Sequence, residues 1–136
     1  MKRSMLLVYQ LLTGLSDLAT GALLVVAPAL TLRLMRLHAP DSARVYLSWV
    51  GAFVLAVGIS HLYGALVIHR GCCRRDLEIV WLLTAFIRSS VAIFVFAQVC
   101  VGALEAGWLT VAAFDALCVL VQAVGLNKGW SVHVAR

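Results

Sequence analysis

Four long runs of apolar residues, separated by short polar segments, make up most of this chain. The runs cover about residues 5–27, 45–68, 77–101 and 107–126. A helix rises ~1.5 Å per residue, so about 20 apolar residues cross the hydrocarbon layer of a bilayer. Each run meets that length, and the pattern therefore predicts an all-α integral membrane protein with four spanning helices.

Short connections indicate how these helices are arranged. Segments 70–76 and 102–107 join the last three runs through only a few residues each. Links of this length force neighbouring helices to be antiparallel. We therefore predict an up-down-up-down four-helix bundle that forms a single transmembrane domain over residues 1–136.

The segment after the first run has a pattern of its own. Pro28 should end the first helix, because proline lacks an amide hydrogen and clashes with the preceding turn. Over residues 29–38, helical geometry places Arg33 and Arg36 on one edge with leucines opposite. This is typical of a short amphipathic segment that lies in the membrane interface. The alternative is that the first helix continues past a kink.

Composition supports the membrane assignment. Hydrophobic residues make up 63% of the chain and charged residues 12%, whereas soluble domains have about 25% charged residues. The mean hydropathy is +1.01. Membrane lipids are therefore the expected surroundings, and the net charge of +5 fits anionic headgroups without requiring a nucleic acid partner.

The distribution of basic residues predicts the orientation. The two sets that flank the runs on opposite sides are Lys2, Arg3, Arg70, Arg74, Arg75, Lys128 and Arg136 against Arg33, Arg36 and Arg44. The positive-inside rule then places both termini in the cytoplasm. The first run is long and contains polar residues, so we expect a retained helix rather than a cleaved signal peptide.

Three of the runs carry a charged residue at a similar depth. Asp17, Arg88 and Asp115 each lie eleven or twelve residues from the cytoplasmic end of their run, or about 17 to 18 Å at ~1.5 Å per residue. An isolated charge at the bilayer centre costs on the order of 3 kcal/mol. A guanidinium can bind one carboxylate and still reach a second. We therefore predict that the three side chains meet in the bundle.

The role of such a cluster is open at this point. A static clamp that sets helix pairing and register is one interpretation. Another is a functional site, because two acids against one base leave an excess negative charge that could carry protons or meet a cationic or polar ligand. In a third, one of the three residues faces a partner subunit.

Small residues recur at heptad spacing in the first two runs. They are Gly14 and Gly21 in the first, and Gly51 and Gly58 in the second. Helices in lipid associate through close backbone approach, which small residues permit. These four glycines predict that the first two spanning helices pack against each other.

His61 and Gln122 are further polar residues within the runs. His61 shares a stripe with Gly58, which predicts a neutral histidine bonded to Ser60, Tyr63 or a backbone carbonyl, or else a contact for a proton or quinone. Gln122 lies on the same side of its helix as Asp115 and has the same potential contact role.

No metal or cofactor is expected from the remaining ligand-type residues. His69, Cys72 and Cys73 lack the spacing of a structural zinc site and a fourth ligand. The two cysteines fall in the segment assigned to the cytoplasm, so they should be reduced thiols. The sequence has no nucleophile elbow, phosphate loop or metalloprotease motif, and we expect a protein that is not an enzyme.

A family resemblance rests on four features of the chain. They are Gly-Leu-Ser-Asp-Leu-Ala-Thr-Gly at 14–21, the exit at Pro28, Trp-Val-Gly-Ala-Phe-Val-Leu-Ala-Val-Gly at 49–58, and Arg88 in the third run. With these features the chain resembles the small four-span DoxX-like membrane proteins of bacteria. The resemblance implies a location in the bacterial inner membrane and an association with quinone-linked oxidoreductases.

Two functions remain as predictions. The first is a non-catalytic subunit or scaffold that packs in a homo-oligomer or a larger membrane complex, such as a respiratory one. The alternative is a small transporter or binder of a lipid, a quinone or another hydrophobic small molecule, which would use the Asp17, Arg88 and Asp115 cluster.

Overall fold

Five α-helices form the fold in a computed structural model that describes residues 3–71 and 74–131. They are α1 (Arg3–Val26), α2 (Pro28–Met35), α3 (Arg44–Arg70), α4 (Arg74–Cys100) and α5 (Leu109–Asn127), and short 3₁₀ turns at Asp41–Ala43 and Ala106–Trp108 precede α3 and α5. All but α2 are long and apolar enough to cross a membrane. The predicted all-α, four-helix arrangement is confirmed. Lys2, Cys72, Cys73 and Arg136, which entered the predictions above, lie outside the described residues.

Helices α1 and α3 pack along each other in antiparallel register through their glycines. A Cβ atom on Gly21 would lie 2.5 Å from the backbone nitrogen of Leu55, and one on Gly51 would lie 2.6 Å from Cβ of Leu24. Gly14 and Gly58 meet in the same way one heptad further along. The structure thus has all four glycines of the predicted stripe between these two helices, where only hydrogen fits.

Near the chain termini, the bundle is filled by large side chains. Leu6 of α1, Ile68 of α3 and the pair Leu77 and Trp81 of α4 are completely buried there. Gly125 of α5 provides the space for the Trp81 ring, because a Cβ atom at that position would overlap the ring. We call the part of the bundle between the Asp17, Arg88 and Asp115 level and this end the closed half.

The opposite part of the bundle, which we call the open half, is bounded by α2 and the turn Ala106–Trp108. Helix α1 breaks at Ala27, whose φ of −143° and ψ of 64° are not helical, and α2 begins at Pro28. It ends with two hydrogen bonds of a Schellman motif around Arg36, in a left-handed conformation at φ 55°. The chain therefore has a short helix after Pro28 that follows α1 after a break of one residue, and backbone hydrogen bonds from Ala27 to Leu23 and from Thr31 to Ala27 bridge this break.

Candidate functional site

The structure brings Asp17, Arg88 and Asp115 together at the boundary between the two halves. Nη1 of Arg88 donates a hydrogen bond to Oδ1 of Asp115, and Nη2 donates one to Oδ2 of Asp17. The three residues are only 4 to 8% exposed. One guanidinium therefore links α1, α4 and α5 through two ion pairs, an arrangement that we call the ion cluster.

The electrostatics of the ion cluster follow from its composition. In the ionised form, two carboxylates and one guanidinium carry one negative charge in excess. Breaking such a buried group by removing one partner is costly, because it leaves an uncompensated charge in a medium of low dielectric constant. Arg88 has a further contact, since its guanidinium carbon lies 5.5 Å from the centre of the Phe114 ring. The positive charge is thus held by an aromatic face as well as by carboxylates.

A cavity of about 460 Å³ begins at the ion cluster and extends through the open half. Its volume lies within the ~300–1,000 Å³ of small-molecule binding sites. Asp17, Arg88 and Asp115 all contribute to its walls. Apolar side chains form most of the remainder, among them Leu24, Val50, Val54, Val57, Val91 and Val95.

The far end of the cavity is bounded by elements outside the four long helices. Leu32 and Met35 of α2 and Trp108 of the second 3₁₀ turn line it there. Leu32 is almost fully buried, at 6% exposure. The short helix after Pro28 is therefore part of the wall of this cavity, whatever its relation to the membrane surface.

A second polar layer lies in the closed half. Nδ1 of His61 is 2.5 Å from Oε1 of Gln10, and Nε2 of Gln122 donates to Oγ1 of Thr84 at 2.9 Å. All four residues are at most 1% exposed. These two pairs join α1 to α3 and α4 to α5 in a region that the cavity does not reach, since none of the four lines it.

For His61, the geometry favours one tautomer. With Oε1 of the Gln10 amide facing the ring, Nδ1 of His61 carries the proton and donates it, because an amide oxygen can only accept. The other ring nitrogen, Nε2, is buried with no hydrogen-bond partner among the described residues. An unpaired nitrogen lone pair is compatible with a neutral ring, whereas a doubly protonated ring would bury an unpaired charged donor at greater cost.

The structure places the sequence-derived site residues in two separate groups. Asp17, Arg88 and Asp115 line the cavity, whereas His61 and Gln122 lie in the second polar layer. The partner of His61 is Gln10, not the sequence neighbours Ser60 or Tyr63. Helical spacing contained a signal for this, because Gln10 lies seven residues before Asp17 and hence on the same face of α1.

No ligand set for a metal is present in the described part of the chain, where no three His, Cys, Asp or Glu side chains converge on a common point. The two cysteines at residues 100 and 118 are not joined in a disulfide.

Comparison with protein families, curated proteins and solved structures found no match to this chain. The cavity and the ion cluster are therefore the features from which a function can be argued.

Proposed function

We propose that this four-helix membrane protein binds a small, mainly apolar molecule in the cavity of its open half. The single observation that supports this is a cavity of ligand size whose walls are mostly apolar and which has the ion cluster at one end. An apolar pocket with a few convergent polar groups is the usual form of a small-molecule site, in which the polar groups orient the ligand. A lipid, a quinone or another hydrophobic molecule fits this description.

The bilayer itself is the expected source of such a ligand. Phe53 of α3 and Ile87 of α4 line the cavity and are 59% and 44% exposed. In a membrane, their exposed surfaces would face acyl chains. A ligand dissolved in the bilayer would then reach the cavity sideways, without passing through water.

The location and orientation are part of the same proposal. Following the distribution of basic residues, both termini would lie in the cytoplasm. The open half would then lie in the outer leaflet. The resemblance to DoxX-like proteins supports a bacterial inner membrane and makes a quinone one candidate ligand.

A scaffold role, which was the first of the two functions predicted from the sequence, is the second candidate here. The feature that would serve it is the outer face of α4, where Phe86, Ile93 and Phe94 are more than 60% exposed. Such a face suits lipid as well as a partner subunit, since both are apolar. The exposed face therefore does not favour an oligomer over a single protein in lipid. A scaffold role also leaves the cavity unexplained, because packing through an outer face does not require an internal cavity.

Filling the cavity tests the proposal. Val54 lines the cavity, whereas Val45 of the same helix is 77% exposed and does not line it. The protein would be purified in a mild detergent from its native membrane, and molecules retained by it measured by native mass spectrometry. We expect an adduct on the unmodified protein and on Val45→Trp, and its loss in Val54→Trp.

Two results would contradict the proposal. One is an unmodified protein that carries no adduct and also takes up none of a series of quinones and lipids added in excess. The other is an adduct that Val54→Trp retains in full, which would place the bound molecule on the lipid-facing surface.

A further inference from the structure

The charge of the cavity wall restricts which apolar molecules it can hold. Among the described residues that line the cavity, the only ionisable side chains are Asp17, Arg88 and Asp115. With both aspartates ionised, the three side chains carry one excess negative charge, at the level near the middle of the membrane that the residue spacing gives. A charge at that level costs on the order of 3 kcal/mol unless it is compensated. A positively charged group in the cavity would compensate it.

Arg88 is paired with two acids, although its Nε has no hydrogen-bond partner among the described residues. Both of its terminal nitrogens, Nη1 and Nη2, already donate to the carboxylates of Asp115 and Asp17. The residue is also 96% buried. A ligand carboxylate or phosphate would bring a further negative charge to a cluster that already sets two acids against one base, and such like charges repel at low dielectric constant.

Aromatic side chains at the cavity wall favour a cation as well. Phe53 and Phe114 both line the cavity, and Phe114 lies beside the ion cluster, whereas Trp108 lines the far end. Aromatic faces attract cations through the quadrupole of the ring, by ~0.5 to 2 kcal/mol per contact, and groups of them recognise quaternary ammonium ligands. Phe114 already shows this in its contact with the Arg88 guanidinium.

We infer that the ligand of the cavity is an organic cation: a single ammonium or comparable cationic group, next to the ion cluster, on an apolar body that fills the valine-lined remainder. The inference rests on the proposed function, because it names the chemical class of the molecule that the cavity binds. Two sources have this chemistry. One is a long-chain amine resident in the bilayer, and the other is an apolar cation that enters from water.

Amphiphiles that share one tail test the charge directly. The purified full-length protein would be placed in nanodiscs of uncharged lipid, and binding of dodecyltrimethylammonium, dodecanol and dodecanoate compared by native mass spectrometry. We expect the cation to bind about tenfold more tightly than the alcohol, and the carboxylate to bind most weakly. Equal binding of cation and alcohol, or tighter binding of the carboxylate, would overturn the inference and leave the proposed function standing. Failure of all three to bind would count against both.

Charge-neutralising variants show whether the ion cluster causes the preference. Asp17→Asn and Asp115→Asn each leave one acid against one base, so the preference for the cation over the alcohol should fall to about twofold or less. Asp41→Asn is the matched control, because Asp41 is exposed and paired with Arg44 outside the cavity, and it should keep the full preference. Retention of the preference in both cavity variants would overturn the inference. Binding of dodecanol shows which of the variants are folded. If neither Asp17→Asn nor Asp115→Asn is folded, the order of binding of the three amphiphiles to the unmodified protein decides the question.

The two sources are separated by a second probe. Tetraphenylphosphonium, added from water, represents the soluble apolar cation, and sphingosine, incorporated in the nanodisc, represents the bilayer amine. Binding of either one, with loss in Val54→Trp, supports the inference and identifies the source. If neither binds in a way that depends on the cavity, the assignment of a cationic ligand is wrong.

Discussion

In the closed half of the bundle, large side chains of α1, α3 and α4 fill the space between the helices, whereas in the open half valines line a cavity. Trp81 and Leu77 are completely buried in the closed half, and Gly125 admits the Trp81 ring. The valines of the open half do not fill the space between the helices, since they line a cavity of about 460 Å³. The comparison separates a half that is filled by side chains from a half that can accept a ligand, while Gly21 and Gly51 keep α1 and α3 in close contact in the open half as well.

The ion cluster forms the boundary, and breaking it should have the largest effect. Arg88→Gln leaves two buried carboxylates without a positive charge, and we expect a loss of about 3 to 5 kcal/mol in the free energy of unfolding. Arg44→Gln, in an exposed pair with Asp41, should cost at most about 1 kcal/mol. Unfolding in mixed micelles measures both.

A neutral triple variant sharpens this test. In Asp17→Asn with Arg88→Gln and Asp115→Asn, no unpaired charge remains, so most of the lost free energy should return. If Arg88→Gln is as mild as Arg44→Gln, or if the triple variant is as unstable as the single one, charge compensation is not what Arg88 contributes.

The two halves should respond differently to added side-chain volume. The expected loss in the free energy of unfolding is smaller than that for the ion cluster. Gly125→Ala introduces one methyl group against the Trp81 ring, and overpacking of this kind costs about 1 to 3 kcal/mol. Val54→Trp adds far more volume but places it in the cavity, so we expect a cost below about 1 kcal/mol. The same unfolding experiment compares them. A Val54→Trp variant less stable than Gly125→Ala would mean that the open half is as tightly packed as the closed half.

The smallest effects concern the ties at the two ends of the bundle. At the closed end, Arg3 donates from Nε and Nη2 to the carbonyl oxygens of Ile68 and His69 at 2.7 to 3.1 Å. These charged hydrogen bonds cap the C-terminal turn of α3, and Arg3→Gln should cost about 1 kcal/mol. At the open end, His38 and Glu105 form an exposed pair at 3.2 Å, and His38→Gln should cost no more than about 0.5 kcal/mol. Melting temperatures in detergent should therefore rank His38→Gln above Arg3→Gln, and the opposite order would contradict the difference between the ends.

Much of the architecture could be derived from local properties of the chain. The helix bounds differ from the apolar runs by three residues at most, because hydropathy along a run and the rise of a helix are both local quantities. The same counting put Asp17, Arg88 and Asp115 at one depth, since residues at equal distances from the membrane surface lie at one level in any upright bundle.

The tertiary structure alone decided what lies beside each of these residues. Gln10 is the partner of His61 because the glycine stripes bring α1 and α3 close enough, at a register that no local pattern encodes. The cavity illustrates this even more clearly. A valine in a helix gives the same sequence pattern whether its side chain packs against a neighbour or lines an empty space. Its volume depends on the distances between helices, and those distances are set by side chains far along the chain, such as Trp81 against Gly125. The sequence by itself thus determined the number, length and charged level of the helices, and only the packing of all of them decided that one half is filled and the other is open.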